Sequence, residues 1–239
     1  MHLFQGELTH QPTDTVQPFT VRQLEQEDER LFFDLQKEIS EGLENPDMLQ
    51  PLTKDELLYI LSEGGIMLGA FVNEHLIGAR ALLYPGEDSE NIGHDLELPY
   101  YERMKVVHQE ISLVHTDYRG NHLQQTLAKV LMQQLKYTND FFTHLCCTVS
   151  PLNVPSIKDK FSQGLMIVQM KEKYEGISRY IFYKHLVNDF PVDTSSYIYI
   201  RLDKTSRHKD FLKKGYVGIW LDQTELGDWI VFARLKEKN

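Results

Sequence analysis

Sulfur chemistry is nearly missing from this sequence: its 239 residues include two cysteines, Cys146 and Cys147, and these are neighbours. Adjacent Cα atoms lie about 3.8 Å apart, short of the usual disulfide separation, so no disulfide framework underlies the fold. Their setting, the apolar stretch FFTHLCCTV, suits buried thiols and a reducing compartment. Long apolar runs are also lacking. Nothing approaches the roughly 18 to 20 residues that span a bilayer, and MHLFQGELTHQPTDTVQPF has neither the basic nor the apolar part of a signal peptide. The expectation is a cytoplasmic protein without a membrane partner. Positive charge is scarce, with 25 Lys and Arg against 35 Asp and Glu and a formal charge of −10. That balance repels a phosphate backbone, so nucleic acid is not expected as a partner. Internal repeats, low-complexity tracts and proline-rich linkers are absent too, and each segment must be read singly.

What is present is a globular composition, 41% hydrophobic and 25% charged, enough for one large domain or a domain with a small appendage. Residues 18–23, PFTVRQ, read as a strand after an N-terminal segment, 1–17. DERLFFDLQKEI sets Leu31, Phe32, Leu35 and Ile39 at helical spacing, and Thr53 with Glu56 forms a capping-box pattern before KDELLYILSEG. GIMLGAFVNEHLIGARALLYPG reads as a hairpin turning at Asn73 and Glu74, and residues 86–104 as an irregular excursion. MKVVHQEISLVH alternates as a strand, TDYRGNHLQQ is a polar loop, and Leu123, Leu127, Val130, Leu131 and Leu135 mark a helix. A strand FFTHLCCTV, a helix opened by Asn153 and two further strands follow. SYIYIRLDK, GYVGIWLDQ and DWIVFARL read as three more strands around a KDFLKK connector. The domain reading is therefore 18–188 as the main domain and 189–239 as a β extension too small to fold alone.

A strand that runs through a polar turn into a helix aims free backbone amides and the positive end of the helix dipole at one spot. In YRGNHLQQ, Arg119 adds a cation, Gly120 flexibility and Asn121 a capping side chain, an arrangement suited to a pyrophosphate. VHTDYRGNHLQQTL, TVSPLNVPS and KYEGISRYIFYKHL, in this order of elements, resemble the Gcn5-related N-acetyltransferase superfamily from roughly Phe19 to Leu186. The resemblance implies an α/β fold with a central mixed, mostly antiparallel sheet flanked by helices, and acetyl-CoA as cosubstrate. It implies that the amides of Arg119, Gly120, Asn121, His122, Leu123, Gln124 and Gln125 hold the pyrophosphate. It also implies that Leu113 and Val114 pair with the pantetheine arm, with Asn153 and Ser156 touching that arm. Two departures stand out: His122 and Gln124 occupy places where glycine or a small residue is usual, and Lys160 and Phe161 replace a tyrosine acid.

Acetylating an ammonium requires a base, since its pKa lies near 10. By alternation His108, Glu110, Ser112 and Val114 share one strand face, which makes Glu110 the first candidate base and His108 the second. The Val114 N–H would polarise the thioester carbonyl. His108, His115 and His122 are evenly spaced but fix no common face, and no HExxH occurs, so no metal is expected. Tyr197, Tyr199, Trp220 and Trp229 could line an acceptor pocket, but cross-strand aromatic pairs more often pack the sheet, and that is the favoured reading. The expected activity is N-acetylation of a small-molecule or peptide amine, with a homodimer left open as the assembly. Transfer of another acyl group, and a non-catalytic coenzyme A-binding or protein-interaction module, are the rival readings.

Overall fold

The structure, a computed structural model, describes residues 2–138, 141–173 and 176–236. The chain divides into two compact units, one formed by residues up to His94 with Leu98–Phe142, the other by Asp95–Glu97 with residues from Thr143 onward. The first contains β1 (Phe4–His10), β2 (Thr15–Gln23), α1 (Glu29–Glu41), α2 (Lys54–Tyr59), β3 (Gly65–Val72) and β4 (His75–Leu83). After two short helical turns, α3 (Ile92–Asp95, whose last residue belongs to the second unit) and α4 (Tyr100–Arg103), come β5 (Val106–Val114) and α5 (Leu123–Thr138). The strands lie in the order β1-β2-β3-β4-β5, each antiparallel to its neighbour.

Local chemistry accounts for these elements. Thr53 and Glu56 close the capping box before α2 as the sequence implies, satisfying two amides that the helix itself cannot. Asn73 and Glu74 both take positive φ, 47° and 69°, the twist that joins two strands by a two-residue turn. After α2 the chain widens into one π-helical turn, Ile60–Gly64. Gly65 then passes so close to the Leu82 carbonyl that a Cβ would overlap it. Phe32, Leu35 and Ile39 of α1 and Leu57 of α2 pack on Met67, Ala79, Ala81, Ile111 and Leu113 of the sheet. Leu31, placed on the same stripe by spacing, is instead exposed. Each large side chain so buried contributes roughly 1.5–3 kcal/mol. The opposite sheet face receives α5, and Gly78 lets Leu123 and Leu127 approach β4.

The N-terminal segment is a strand of a hairpin. Pro18 makes β2 look interrupted, yet it stands opposite Glu7, in a pair where the missing N–H would point away from the partner strand.

The second unit holds β6 (His144–Val149), α6 (Val154–Ser162), β7 (Met166–Lys173), β8 (Ile177–His185), β9 (Val192–Arg201), α7 (Thr205–Lys213), β10 (Tyr216–Thr224) and β11 (Gly227–Leu235). Its strand order is β6-β8-β7-β10-β11-β9, with antiparallel pairings. Both cysteines are buried free thiols in β6. The KDFLKK connector forms much of α7, whose buried His208 Nδ1 lies 2.6 Å from the Tyr180 hydroxyl of β8. Burial holds the His208 imidazole below its ordinary pKa. Tyr197 and Trp220 meet edge to face at 5.0 Å, the packing role expected of them. No helix among the described residues is long and apolar enough to cross a membrane.

Candidate functional site

β5 ends at Val114, and the His115 N–H donates to the Ile77 carbonyl at 2.9 Å. With Gly78 opposite Val114, that bond makes Val114 a non-hydrogen-bonded member of the β4–β5 ladder, so its N–H points away from β4. The chain then makes a 3-10 turn, Thr116–Tyr118, in which the His115 Nδ1 accepts from the Asp117 amide at 3.2 Å. The other ring nitrogen, Nε2, lies 2.6 Å from the Glu38 carboxylate of α1. The ring is thereby held at both ends.

Between this turn and α5 lies the polar loop. The first bond of the helical type runs from the Thr126 N–H to the His122 carbonyl, 3.0 Å. Among the described residues no acceptor meets the amides of Gly120 through Gln125. A helix start accounts for four of these six, His122 through Gln125, and the loop adds Gly120 and Asn121. Arg119 is exposed and has no carboxylate partner among the described residues. Gly120 and His122 both take positive φ, 82° and 56°. Histidine thus stands where the resemblance has glycine and adopts the left-handed backbone that glycine supplies, at a cost of about 1 kcal/mol. Leu123 is buried, Gln124 half-buried and Gln125 exposed. The Gln124 carbonyl accepts from the buried Arg80 guanidinium at 3.0 Å.

Asn121 departs from its expected role as the cap of α5. Its carboxamide takes the Thr9 N–H at 2.8 Å and donates to the carbonyls of Thr9, 2.8 Å, and Tyr118, 3.0 Å. The hairpin of β1 and β2 is tied to the same loop elsewhere. The Gln11 N–H donates to the Asp117 carbonyl at 2.8 Å and the Tyr118 hydroxyl to Gln17 at 3.1 Å.

The candidate bases lie around a bulge that overrides simple alternation. Arg80 pairs with Ser112 but Leu82 pairs with Gln109, so two residues of β5, Glu110 and Ile111, face one residue of β4, Ala81. Ser112 and Val114 therefore face the α5 side with Gln109, whose Oε1 accepts from Arg80 at 2.9 Å. His108 and Glu110 face α1 and α2. The four residues that alternation would align are split two and two by the extra residue. His108 Nε2 accepts from the Ile92 amide at 3.1 Å, which assigns the ring proton to Nδ1, 3.8 Å from the Glu110 carboxylate. The ring lone pair is engaged. Glu110 is mostly buried, and burial, with the charge of Glu56 on α2 as a lesser cause, pushes its carboxyl up to about 7. A base with that pKa exchanges protons efficiently near neutrality. Glu56 stands on a different element far back in the chain, and no local pattern around Glu110 points to it.

In the second unit Asn153 caps α6, accepting from the Ser156 amide at 3.0 Å. Lys160 is buried, with its ammonium 3.2 Å from Asp159. Phe161 packs edge to face on Phe182 at 5.2 Å.

No family model matches the sequence, and no curated protein matches it. Solved structures do. An N-acetyltransferase from Staphylococcus aureus Mu50 superimposes with a TM-score of 0.53 at 15% identity, covering 71% of this chain and 99% of that one. A GNAT-family acetyltransferase from Streptococcus pneumoniae gives 0.52 at 16% identity, covering 70% and 99%. YncA from Salmonella typhimurium, solved with its cofactor acetyl-CoA, gives 0.53 at 15% identity, covering 74% and 98%. The chain has the fold of the Gcn5-related N-acetyltransferases.

Proposed function

We propose that the protein is an acetyl-CoA-dependent N-acetyltransferase acting on an amine. The observation that carries this reading is the row of amides from Gly120 to Gln125 that, like the Arg119 guanidinium beside them, meet no partner among the described residues. It stands at the head of a 16-residue helix in a fold shared with acetyltransferases. Amides and dipole together favour a dianionic group, and the pyrophosphate of acetyl-CoA is such a group. The neighbour solved with acetyl-CoA supports the same ligand.

When bound, acetyl-CoA supplies an activated acetyl group. The chain's own part is to bind the phosphates, to offer the Val114 N–H to a developing oxyanion, and to take the ammonium proton at the Glu110 carboxylate. A proton for the departing thiolate would come from solvent. The first unit carries 22 acidic and 10 basic residues, against 13 and 15 in the second. A cationic amine is therefore the favoured acceptor for the unit that holds Glu110. The two buried free thiols suit a reducing, cytoplasmic setting.

The test is thermal denaturation with acetyl-CoA. At 100 times its dissociation constant a ligand adds about 2.7 kcal/mol of stability, and Arg119→Glu should abolish the shift without unfolding the protein, because it sets a carboxylate against the phosphates. Absence of any shift at millimolar acetyl-CoA would refute the ligand. Free thiol release with an amine panel then separates an acetyltransferase from a binding module.

A further inference from the structure

The loop that would carry the coenzyme is not held only by its own helix. Thr9 sits on β1 opposite Val16, and both its N–H and its carbonyl turn outward, because both are bonded at 2.8 Å to the Asn121 carboxamide. In an antiparallel ladder one residue in two points both groups away from its partner. Asn121 thus occupies the place that a residue of a further strand would take. Its second N–H closes on Tyr118 at 3.0 Å, so one side chain spans the strand edge and the loop backbone. Three further contacts join the same two segments. The Gln11 N–H meets the Asp117 carbonyl, Tyr118 meets Gln17, and His10 Nε2 lies 3.5 Å from Asp117. The turn of the hairpin reaches Gly120, whose Cβ position would lie 3.8 Å from Gln11 Nε2.

Gly120, with φ of 82°, and the segment through His122 lack helical bonds of their own. A loop of that kind samples many conformations unless something outside it removes the freedom, and ordering it on binding would lower affinity. We propose that the β1–β2 hairpin, acting through Asn121, is a positioning device that holds the Arg119–Gln125 amides in their binding arrangement before the ligand arrives. This rests on the reading of that loop as the coenzyme site. Asn121 and Thr9 are positioning residues, and the Asn121 side chain is committed to β1 and not to the ligand.

The experiment uses free coenzyme A as the probe, with affinity by calorimetry and stability by thermal denaturation on the full chain. Thr9→Pro removes the N–H that Asn121 accepts. Glu7→Pro is its control: it stands two residues along the same strand, opposite Pro18, so its N–H also points outward but does not meet Asn121. Proline is tolerated at such edge positions. Thr9→Pro and Asn121→Ala should each weaken coenzyme A binding about tenfold, which is about 1.4 kcal/mol, while Glu7→Pro stays within about twofold. Amide exchange of residues 120–125 in the unliganded protein should accelerate in Thr9→Pro and not in Glu7→Pro. A purely structural role would lower the melting temperature of both proline variants and leave coenzyme A affinity equal in them, and that result overturns the proposal. Should Thr9→Pro not fold, unchanged affinity in Asn121→Ala does the same. Failure of the unaltered protein to bind coenzyme A is a separate outcome, seen before any variant, and removes the ligand assignment itself.

Discussion

Replacing Glu110 by Gln should stabilise the protein while it disables it. The Glu110 carboxyl is pushed up to about 7 from an ordinary 4.5, first by burial and then by Glu56. Between those two values the folded chain holds a proton that the unfolded chain has released. Stability from this group is therefore lost as pH rises through the window, and the loss is complete above about 7. Each tenfold change in proton affinity is worth about 1.36 kcal/mol, so the penalty comes to about 3 kcal/mol. Glutamine keeps the shape and cannot ionise. Urea denaturation of the two proteins should therefore nearly coincide at pH 4.5 and separate by about 3 kcal/mol at pH 8.5, or about 6–12 °C in melting temperature. Turnover should move the other way, falling by roughly 10² to 10⁴, with a rate that climbs only toward the pKa of the amine itself. In the unaltered protein, kcat/KM should instead rise through pH 7 as the carboxylate forms. Parallel stability curves at every pH would show that Glu110 is not desolvated as described. Equal turnover and equal pH profiles would remove it from the chemistry.

Three other perturbations test the frame. His208 is held neutral by burial, so between its lowered pKa and the usual 6.5 the unfolded chain binds a proton that the folded chain refuses. Stability should be lost as pH falls below about 6.5, and His208→Gln should flatten that slope relative to the unaltered protein in equilibrium unfolding. Gly65→Ala drives a Cβ into the Leu82 carbonyl, and since backbone cannot swing aside as a side chain can, a loss of about 2 kcal/mol or more is expected in denaturant titration. Deleting residues 192–236 strips β9, α7, β10 and β11 from the second unit and leaves the buried Tyr180 without His208. Light scattering should report aggregation, and a soluble, equally stable product would contradict the packing of these strands on β7.

Much of this was legible because local signals agreed with the fold. The Asn73-Glu74 turn, the Thr53–Glu56 box, the Asn153 cap and the leucine stripe of α5 are each decided within a few residues. What escaped was decided elsewhere in the chain. Residues 1–17 read only as an N-terminal segment, since β1 and the start of β2 are specified by their pairing across the hairpin. Asn121 reads as a helix cap, since nothing within its neighbourhood reveals that Thr9, 112 residues away, competes for its carboxamide. Alternation along β5 gives the wrong face for half of the candidate set because the bulge at Glu110 and Ile111 is specified by the pairing with β4. The elevated pKa of Glu110 depends in part on Glu56, from a helix whose packing no strand pattern encodes.

The bulge also fixes how β5 can be altered. Because Glu110 and Ile111 share Ala81 as their opposite number, the candidate base and a core side chain hang from consecutive residues over the same helices. Removing one residue there would not shorten the strand so much as rotate its first half by one face. Gln109 would leave the Arg80 guanidinium, which is fully buried, and His108 would leave the Ile92 amide. Length in this strand is thus a constraint of its own: substitutions at Glu110 can be tolerated one by one, whereas a single-residue deletion would have to rebuild both faces of the sheet at once.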